Sequence, residues 1–221
     1  MGSIVQKVAG PGEVSSSSNS TAFGSNNTGG NSIIGVIRSE GSAIPGTMYD
    51  SNGNSYSQVI YAGNGTYEGY VSIWRADGIA SGANTVSIPI TSGACLYSLD
   101  IYEATPLGIV DQMTSAIDSG AGTTTPSCGP VTTTGNGELC ICASANGGNA
   151  YASSAGSGWT LDSVTTGTYF TGGTESQIQV SAGSLTGNMT LNSSYNWSVV
   201  LVTFVFAVVT PGKFIQSFWL E

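Results

Sequence analysis

Apolar residues occur along this chain in short runs separated by clusters of Gly, Asn, Ser and Pro, and no segment keeps a helical period between helix caps. The pattern predicts strands over residues 4–8, 21–23, 32–38, 47–49, 56–61, 67–76, 84–90, 95–103, 137–144, 158–161, 168–171, 176–180, 187–191, 197–209 and 214–220. In Tyr70-Val-Ser-Ile-Trp-Arg75 and Thr85-Val-Ser-Ile-Pro-Ile90 every second residue is apolar, which puts one face of each strand in a core and the other in water. Pro89 brings no amide donor and predicts a sheet edge or a bulge. The longest apolar run, Val199 to Val209, has eleven residues including Thr203, well short of the roughly 20 that span a bilayer as a helix. It reads as a strand buried on both faces. The segment Ile109-Val-Asp-Gln-Met-Thr-Ser-Ala-Ile117 fits a short helix about as well as a strand.

Polar tracts at residues 15–20, 120–127 and 146–158 predict long surface loops. The middle tract is a possible domain boundary, but the strands beyond it include the most apolar one, which needs neighbours on both faces. The simpler expectation is an all-β chain with a single antiparallel β-sandwich over residues 1–210, followed by an apolar tail or last strand over 211–221. Composition agrees: the chain has 221 residues, of which 32 are Gly and only 8% are charged, while 40% are hydrophobic. That is enough apolar surface for a core and enough glycine for many tight turns.

Charge narrows the partners. Four basic residues, Lys7, Arg38, Arg75 and Lys213, stand against thirteen acidic ones, for a net charge of -9. Nucleic-acid binding draws on several Lys or Arg in one patch, so nucleic acid is excluded as a partner, and an anionic membrane surface is disfavoured on the same ground. The first residues lead into a Ser/Asn tract without a sustained apolar region or small-residue cleavage site, so no secretory leader is expected. Cys95, Cys128, Cys140 and Cys142 are even in number, and Cys140 and Cys142 share one face of a strand. The chain has no His to complete a metal site, so buried free thiols are favoured over metal binding and no cofactor is expected.

Five phrases in order resemble an unnamed β-sandwich module that recurs in bacterial surface and secreted proteins and in phage structural proteins. They are Ser25-Asn-Asn-Thr-Gly-Gly-Asn31, Asp50-Ser-Asn-Gly-Asn-Ser-Tyr56, Ala80-Ser-Gly-Ala-Asn-Thr-Val86, Leu99-Asp-Ile-Tyr-Glu103 and Val131-Thr-Thr-Thr-Gly-Asn-Gly-Glu-Leu139. The resemblance runs from about Ser3 to Ala207, after which this chain departs from the pattern. It implies a jelly-roll or lectin-like sandwich and brings no catalytic residues to carry over.

Candidate chemistry is sparse. Asp50-Ser-Asn-Gly-Asn54 offers oxygens at alternate positions as calcium loops do, but without EF-hand spacing, and a hairpin turn over Asn52-Gly53 is favoured. Asp100 and Glu103 are the nearest carboxylate pair for glycoside hydrolysis, yet a separation of three residues sets them on opposite faces of a strand. Glu103 is expected to pair with Arg38 or Arg75, or to face solvent. A nucleophile has no His base, and Lys7 and Lys213 sit in no Ser-x-x-Lys pattern. The chain is therefore expected not to be an enzyme.

Tyr67, Tyr70 and Trp74, with Tyr49, Tyr56, Tyr61 and Tyr151, supply candidate platforms for a sugar, against the alternative that each ring fills a core. In the tail, Phe214, Ile215, Phe218, Trp219 and Leu220 make five of the last eight residues large and apolar. They are expected to return into the sheet or to bind another subunit. The functional expectation is a structural protein on a virion surface or other extracellular assembly, for instance a capsid decoration protein, contacting copies of itself or a shell protein. The alternative is a carbohydrate-binding module or adhesin.

Overall fold

The computed structural model describes residues 2–12, 14–16, 18–39, 45–63, 69–89, 95–167 and 170–208. Every regular element among them is a strand. The first half of the chain holds β1 (Ile4–Val8), β2 (Val14–Ser16), β3 (Ser18–Ala22), β4 (Ser32–Ser39), β5 (Tyr49–Asp50), β6 (Ser57–Ala62), β7 (Tyr70–Asp77), β8 (Thr85–Pro89) and β9 (Cys95–Ala104). The second holds β10 (Leu107–Thr123), β11 (Ser127–Thr132), β12 (Glu138–Gly147), β13 (Ala152–Ala155), β14 (Thr160–Thr165), β15 (Phe170–Gln179), β16 (Ser184–Leu191) and β17 (Tyr195–Phe206).

The strands form four antiparallel sheets: β1-β9-β4-β7-β6 with β2 added on β9, then β10-β17-β12-β15-β14, and the small sheets β3-β8-β5 and β11-β16-β13. The two halves repeat one strand order. In the first, β1 pairs with β9, β3 with β8 and β4 with β7. In the second, β10 pairs with β17, β11 with β16 and β12 with β15. Nested pairing of first with last and second with second-to-last is the connection of a jelly roll, so the chain is two jelly-roll sandwiches in tandem. The expected all-β antiparallel sandwich is present, with the sheets drawn up as two successive units.

Three apolar clusters stack between four layers. Ile33, Ile37, Leu99 and Ile101 pack against Val86 and Ile88 of the first small sheet. From the opposite faces of the same strands, Ile34, Val36, Ile73 and Tyr102 meet Leu139, Ile141, Val200, Val202 and Phe204. Cys140, Cys142, Val199 and Leu201 then face Leu185, Met189 and Leu191 of the second small sheet. All eight residues of β4 and all ten of β12 are buried for this reason: each strand has a core on both sides. The small sheets have one wet face, and β16 alternates buried Leu185, Met189 and Leu191 with exposed Ser184, Asn188 and Thr190.

Several expectations change. The tracts at 15–20, 120–127 and 146–158 are not simply loops, because they contribute β3, the end of β10 and β13. Their Ser, Thr, Ala and Gly side chains carry little apolar period, and their pairing is set by the neighbouring strand. The expected strands at 168–171 and 176–180 are one strand, β15, running through Gly172 and Gly173. A Cβ at Gly172 would lie 2.2 Å from the Ser144 carbonyl oxygen and 2.7 Å from Arg38 Cδ, so the glycine serves close approach rather than a turn. Residues 109–117 are strand. Pro89 ends β8, the central strand of its sheet, where its carbonyl still accepts the Gly46 N–H at 2.8 Å.

The large sheets also meet through charge. Arg38 of β4 is wholly buried and pairs with Asp100 of β9 at 2.7 Å. Its guanidinium donates to Ser98 on its own sheet at 3.0 Å and, across the interface, to Thr165 at 3.0 Å, Ser163 at 3.2 Å and Thr174. Asp100 accepts from Thr174 at 2.8 Å, from Ser163 and from the Gly10 N–H at 3.0 Å. At the margin, Tyr102 donates to Asp162 at 3.0 Å and Lys7 pairs with the same carboxylate.

Removing one member of a buried pair strands the other charge, so Arg38→Met is expected to lower stability by about 3–5 kcal/mol. Adding Asp100→Leu should restore part of that loss. Urea unfolding of the wild type, the single and the double variant checks this; a single variant as stable as wild type would mean that the pair does not hold the halves together.

Candidate functional site

The longest strand is also an edge. Among the described residues β10 pairs only with β17, leaving its other side without a strand over 17 residues. Met113 lies opposite Val202 and Ile117 opposite Ser198, on the sheet face that turns toward the first half, but at the margin both are exposed, at 56% and 43%. Ile109, set off by register shifts on either side of Val110, is 70% exposed. No Lys or Arg interrupts this strand. An apolar edge of this kind is a template for another chain, since its amide and carbonyl groups offer a ladder and its side chains an apolar surface. Sequence reasoning missed it because Ile109, Met113 and Ile117 recur at a spacing of four, which suits a helix as well as the odd positions of a strand.

A second surface is aromatic. Tyr61 of β6 and Tyr70 of β7 stack with ring centroids 5.8 Å apart and planes 18° from parallel. Tyr61 is 58% exposed, and Gln58 donates to the Tyr70 hydroxyl at 2.7 Å. Burial, the largest influence, pushes the Tyr70 phenol above its ordinary range, so the ring is neutral. The pair presents a flat face with an amide beside it. Trp74 does not join it: at 7% exposure it belongs to the first core, with its indole N–H donating to Ser72 at 3.0 Å. Trp74 lies on the same face of β7 as Tyr70 but is covered in the first core with Val86 and Ile88, against the sugar-platform expectation. Tyr56 is likewise buried, whereas Tyr49 and Tyr151 are exposed and apart from the stacked pair. Tyr67 and the tail residues Phe214, Ile215, Phe218, Trp219 and Leu220 lie outside the described residues.

The acidic candidates are hubs for protein donors. Asp50 accepts from the Asn52 and Asn54 N–H groups at 3.1 and 3.0 Å, from the Asn54 and Asn84 amides at 2.7 and 2.9 Å, and from Tyr56 at 2.9 Å. Burial works against ionisation there, but these donors hold the carboxyl below its usual range. With Gly53 at a φ of 73°, the segment is a turn organised around one carboxylate. Glu103 pairs with neither arginine and does not face solvent. It is wholly buried and accepts from Gln6 and Asn31 at 2.6 Å and from Asn27 and the Thr28 N–H at 2.8 Å, fixing the 25–31 loop to β9. Against the cost of burial, those donors lower its pKa.

Two acidic contacts lay beyond sequence reasoning because they join distant segments. Asp111 of β10 and Glu138 of β12 lie close enough to influence each other's ionisation. Burial and the neighbouring Asp111 carboxylate push Glu138 up, while Thr134, donating through its N–H at 2.8 Å and its hydroxyl at 2.6 Å, holds Asp111 down. Glu138 accepts the Gly135 N–H at 2.7 Å through one carboxyl oxygen, while its other oxygen is buried without a hydrogen-bond partner. In the third core, Glu175 accepts the Gly156 and Asn188 N–H groups at 2.9 and 3.1 Å. Burial raises its pKa to about 7. Cys128, Cys140 and Cys142 are buried free thiols. Burial, then the nearby Glu138 charge, pushes Cys140 up to about 12, and burial carries Cys142 well above its usual range, so neither ionises at neutral pH in the closed core.

No family model, curated protein or solved structure matches the chain.

Glu175 makes stability depend on pH. The unfolded carboxyl releases its proton near pH 4.5 and the folded one near 7, so between these values the folded chain holds a proton that the unfolded chain has lost. Its contribution is full below about pH 4.5 and is lost as pH rises through 7, a change on the order of 3 kcal/mol. Urea unfolding at a series of pH values should show this slope in the wild type and a flatter one in Glu175→Gln. Parallel slopes in the two proteins would assign the effect to another group.

Proposed function

We propose that this chain is a non-enzymatic structural protein on the surface of a larger assembly, of the kind that decorates a capsid or similar shell. The observation that carries this reading is the β10 edge: 17 residues of strand with one side open among the described residues, bearing exposed Ile109, Met113 and Ile117. An apolar edge that remained in water would invite uncontrolled strand pairing, and a defined neighbour removes that hazard. The sequence that follows adds five large apolar residues, Phe214, Ile215, Phe218, Trp219 and Leu220. Two of the buried carboxylates, Asp50 and Glu103, are occupied by protein donors. An acidic chain with few cations suits a protein neighbour rather than a nucleic acid.

Carbohydrate binding is the second reading, favoured by the stacked Tyr61–Tyr70 pair with the Gln58 amide beside it. Stacked, half-exposed phenol rings present the apolar face that a sugar ring covers, and the amide supplies a polar partner.

Light scattering across a concentration series separates the two. The full chain is expected to exceed the mass of one chain at high concentration, and Met113→Lys with Ile117→Lys should return it to a single-chain mass without unfolding it. A monomer at every concentration in both proteins would count against the assembly reading. A glycan array would then decide the second: retention lost in Tyr61→Ala supports it, and no retained glycan removes it.

A further inference from the structure

The second jelly roll holds two thiols that face each other from different layers. Cys128 stands on β11 in the small sheet, opposite Gly187 of β16, and Cys142 stands on β12 in the large sheet. Both belong to the same apolar cluster. The place where they meet is kept open by a missing side chain: a Cβ at Gly187 would lie 2.5 Å from Cys142 Sγ and 3.6 Å from Cys128 Sγ. Any other residue at 187 would push between the sulfurs. Cys140 shares the strand face of Cys142, yet its thiol turns to its own strand and donates to the Glu138 carbonyl at 3.7 Å. Residues two apart on a strand point the same way, with their Cα atoms about 6.6 Å apart, so Cys140 and Cys142 are poorly placed to bond to each other.

We propose that Cys128 and Cys142 form a disulfide that staples the two layers of the second jelly roll when the chain folds in the presence of a low-molecular-weight disulfide. The chemistry balances through thiol–disulfide exchange. The Cys128 thiolate attacks one sulfur of the small disulfide, forming a mixed disulfide and releasing one small thiolate. Cys142 then loses its proton to solvent and attacks Cys128 Sγ, and the mixed bond breaks with release of the second small thiolate. Two protein thiols are oxidised by two electrons, and one small disulfide is reduced to two thiols. Because both sulfurs are shut in the finished core, exchange belongs to the open chain, and the packing around Gly187 selects which two of the four cysteines remain joined.

The test refolds the full chain from urea in a mixture of reduced and oxidised glutathione, alkylates the remaining thiols under denaturing conditions, and maps the peptides by mass. Cleavage after Glu138 separates Cys128 from Cys140 and Cys142, and fragmentation of the linked peptides tells the last two apart. The expected result is a chain lighter by two hydrogens, with Cys95 and Cys140 alkylated, Cys128 joined to Cys142, and a higher urea midpoint than the reduced chain. Cys140→Ser should keep the link. Four alkylated cysteines, or a link that includes Cys95 or Cys140, would overturn the proposal, and since the wild type carries this readout, no variant has to fold for it to be decided.

Discussion

An ion pair cut off from water constrains how the two halves of this chain sit. Arg38 and Asp100 both belong to the first jelly roll, but the hydroxyls that satisfy them come largely from the second, at Ser163, Thr165 and Thr174. Burying two charges costs several kcal/mol for each ion, and the hydroxyls offset that cost at the terminal guanidinium nitrogens and the carboxylate, while Arg38 Nε is buried without a hydrogen-bond partner. The pair therefore fixes the lateral position of one large sheet against the other more narrowly than the apolar faces do, since aliphatic side chains tolerate sliding and a guanidinium fork does not. Gly172 completes the arrangement, because any side chain there would strike both Arg38 and the Ser144 carbonyl. The same sheets bury an apolar face against each other, from Ile34 and Val36 on one side to Val200 and Phe204 on the other. Neither half could be separated without exposing that face and the charges beside it.

Double burial explains what the amino-acid pattern could and could not reveal. Strands with one wet face, such as β8 with Val86 and Ile88 buried between Thr85, Ser87 and Pro89, alternate plainly and were legible. So was β17, whose long apolar run, interrupted only by Thr203, matches a strand between two cores. Strands built from Ser, Thr, Ala and Gly were not, because nothing in β11 or β13 distinguishes a paired backbone from a polar loop. Gly172 and Gly173 look like turn residues by type, and only the opposite layer reveals that they are there to be small. The repeated strand order was hidden for a related reason: the halves share pairing, not residue types, so β4 reads Ser-Ile-Ile-Gly-Val-Ile-Arg-Ser where β12 reads Glu-Leu-Cys-Ile-Cys-Ala-Ser-Ala-Asn-Gly.

Site residues divide along the same line. Groups whose partners are close in sequence were legible, as with Asp50 and the turn that wraps it. Groups whose partners arrive through nested pairing were not. Glu103 gathers Gln6, Asn27 and Asn31, and Glu138 meets Asp111, only because first and last strands of each roll lie together. Trp74 shows the limit for aromatic residues: the alternation of β7 suggested one wet face, but a small sheet contributed by distant segments covers the Trp74 side and the second half covers the Val71 and Ile73 side, so both faces are buried.

Comparison of the two rolls isolates what the fold does not require. β1 and β10 hold the same place in their strand orders, as the edge beside the last strand. β1 has five residues and carries Lys7, which reaches across to Asp162. β10 has 17 residues, no cation, and three exposed apolar side chains. A short edge bearing a lysine is the usual protection against unwanted pairing, and the first roll has it. Since one topology supports both edges, the open one is not a by-product of folding. Its length and apolar character are properties of these particular residues, and Ile109, Met113 and Ile117 belong to none of the three core clusters and are exposed to 70%, 56% and 43%. A polar residue at each position would serve the isolated chain as well, and that is the physical ground on which the proposed contact with a neighbour rests.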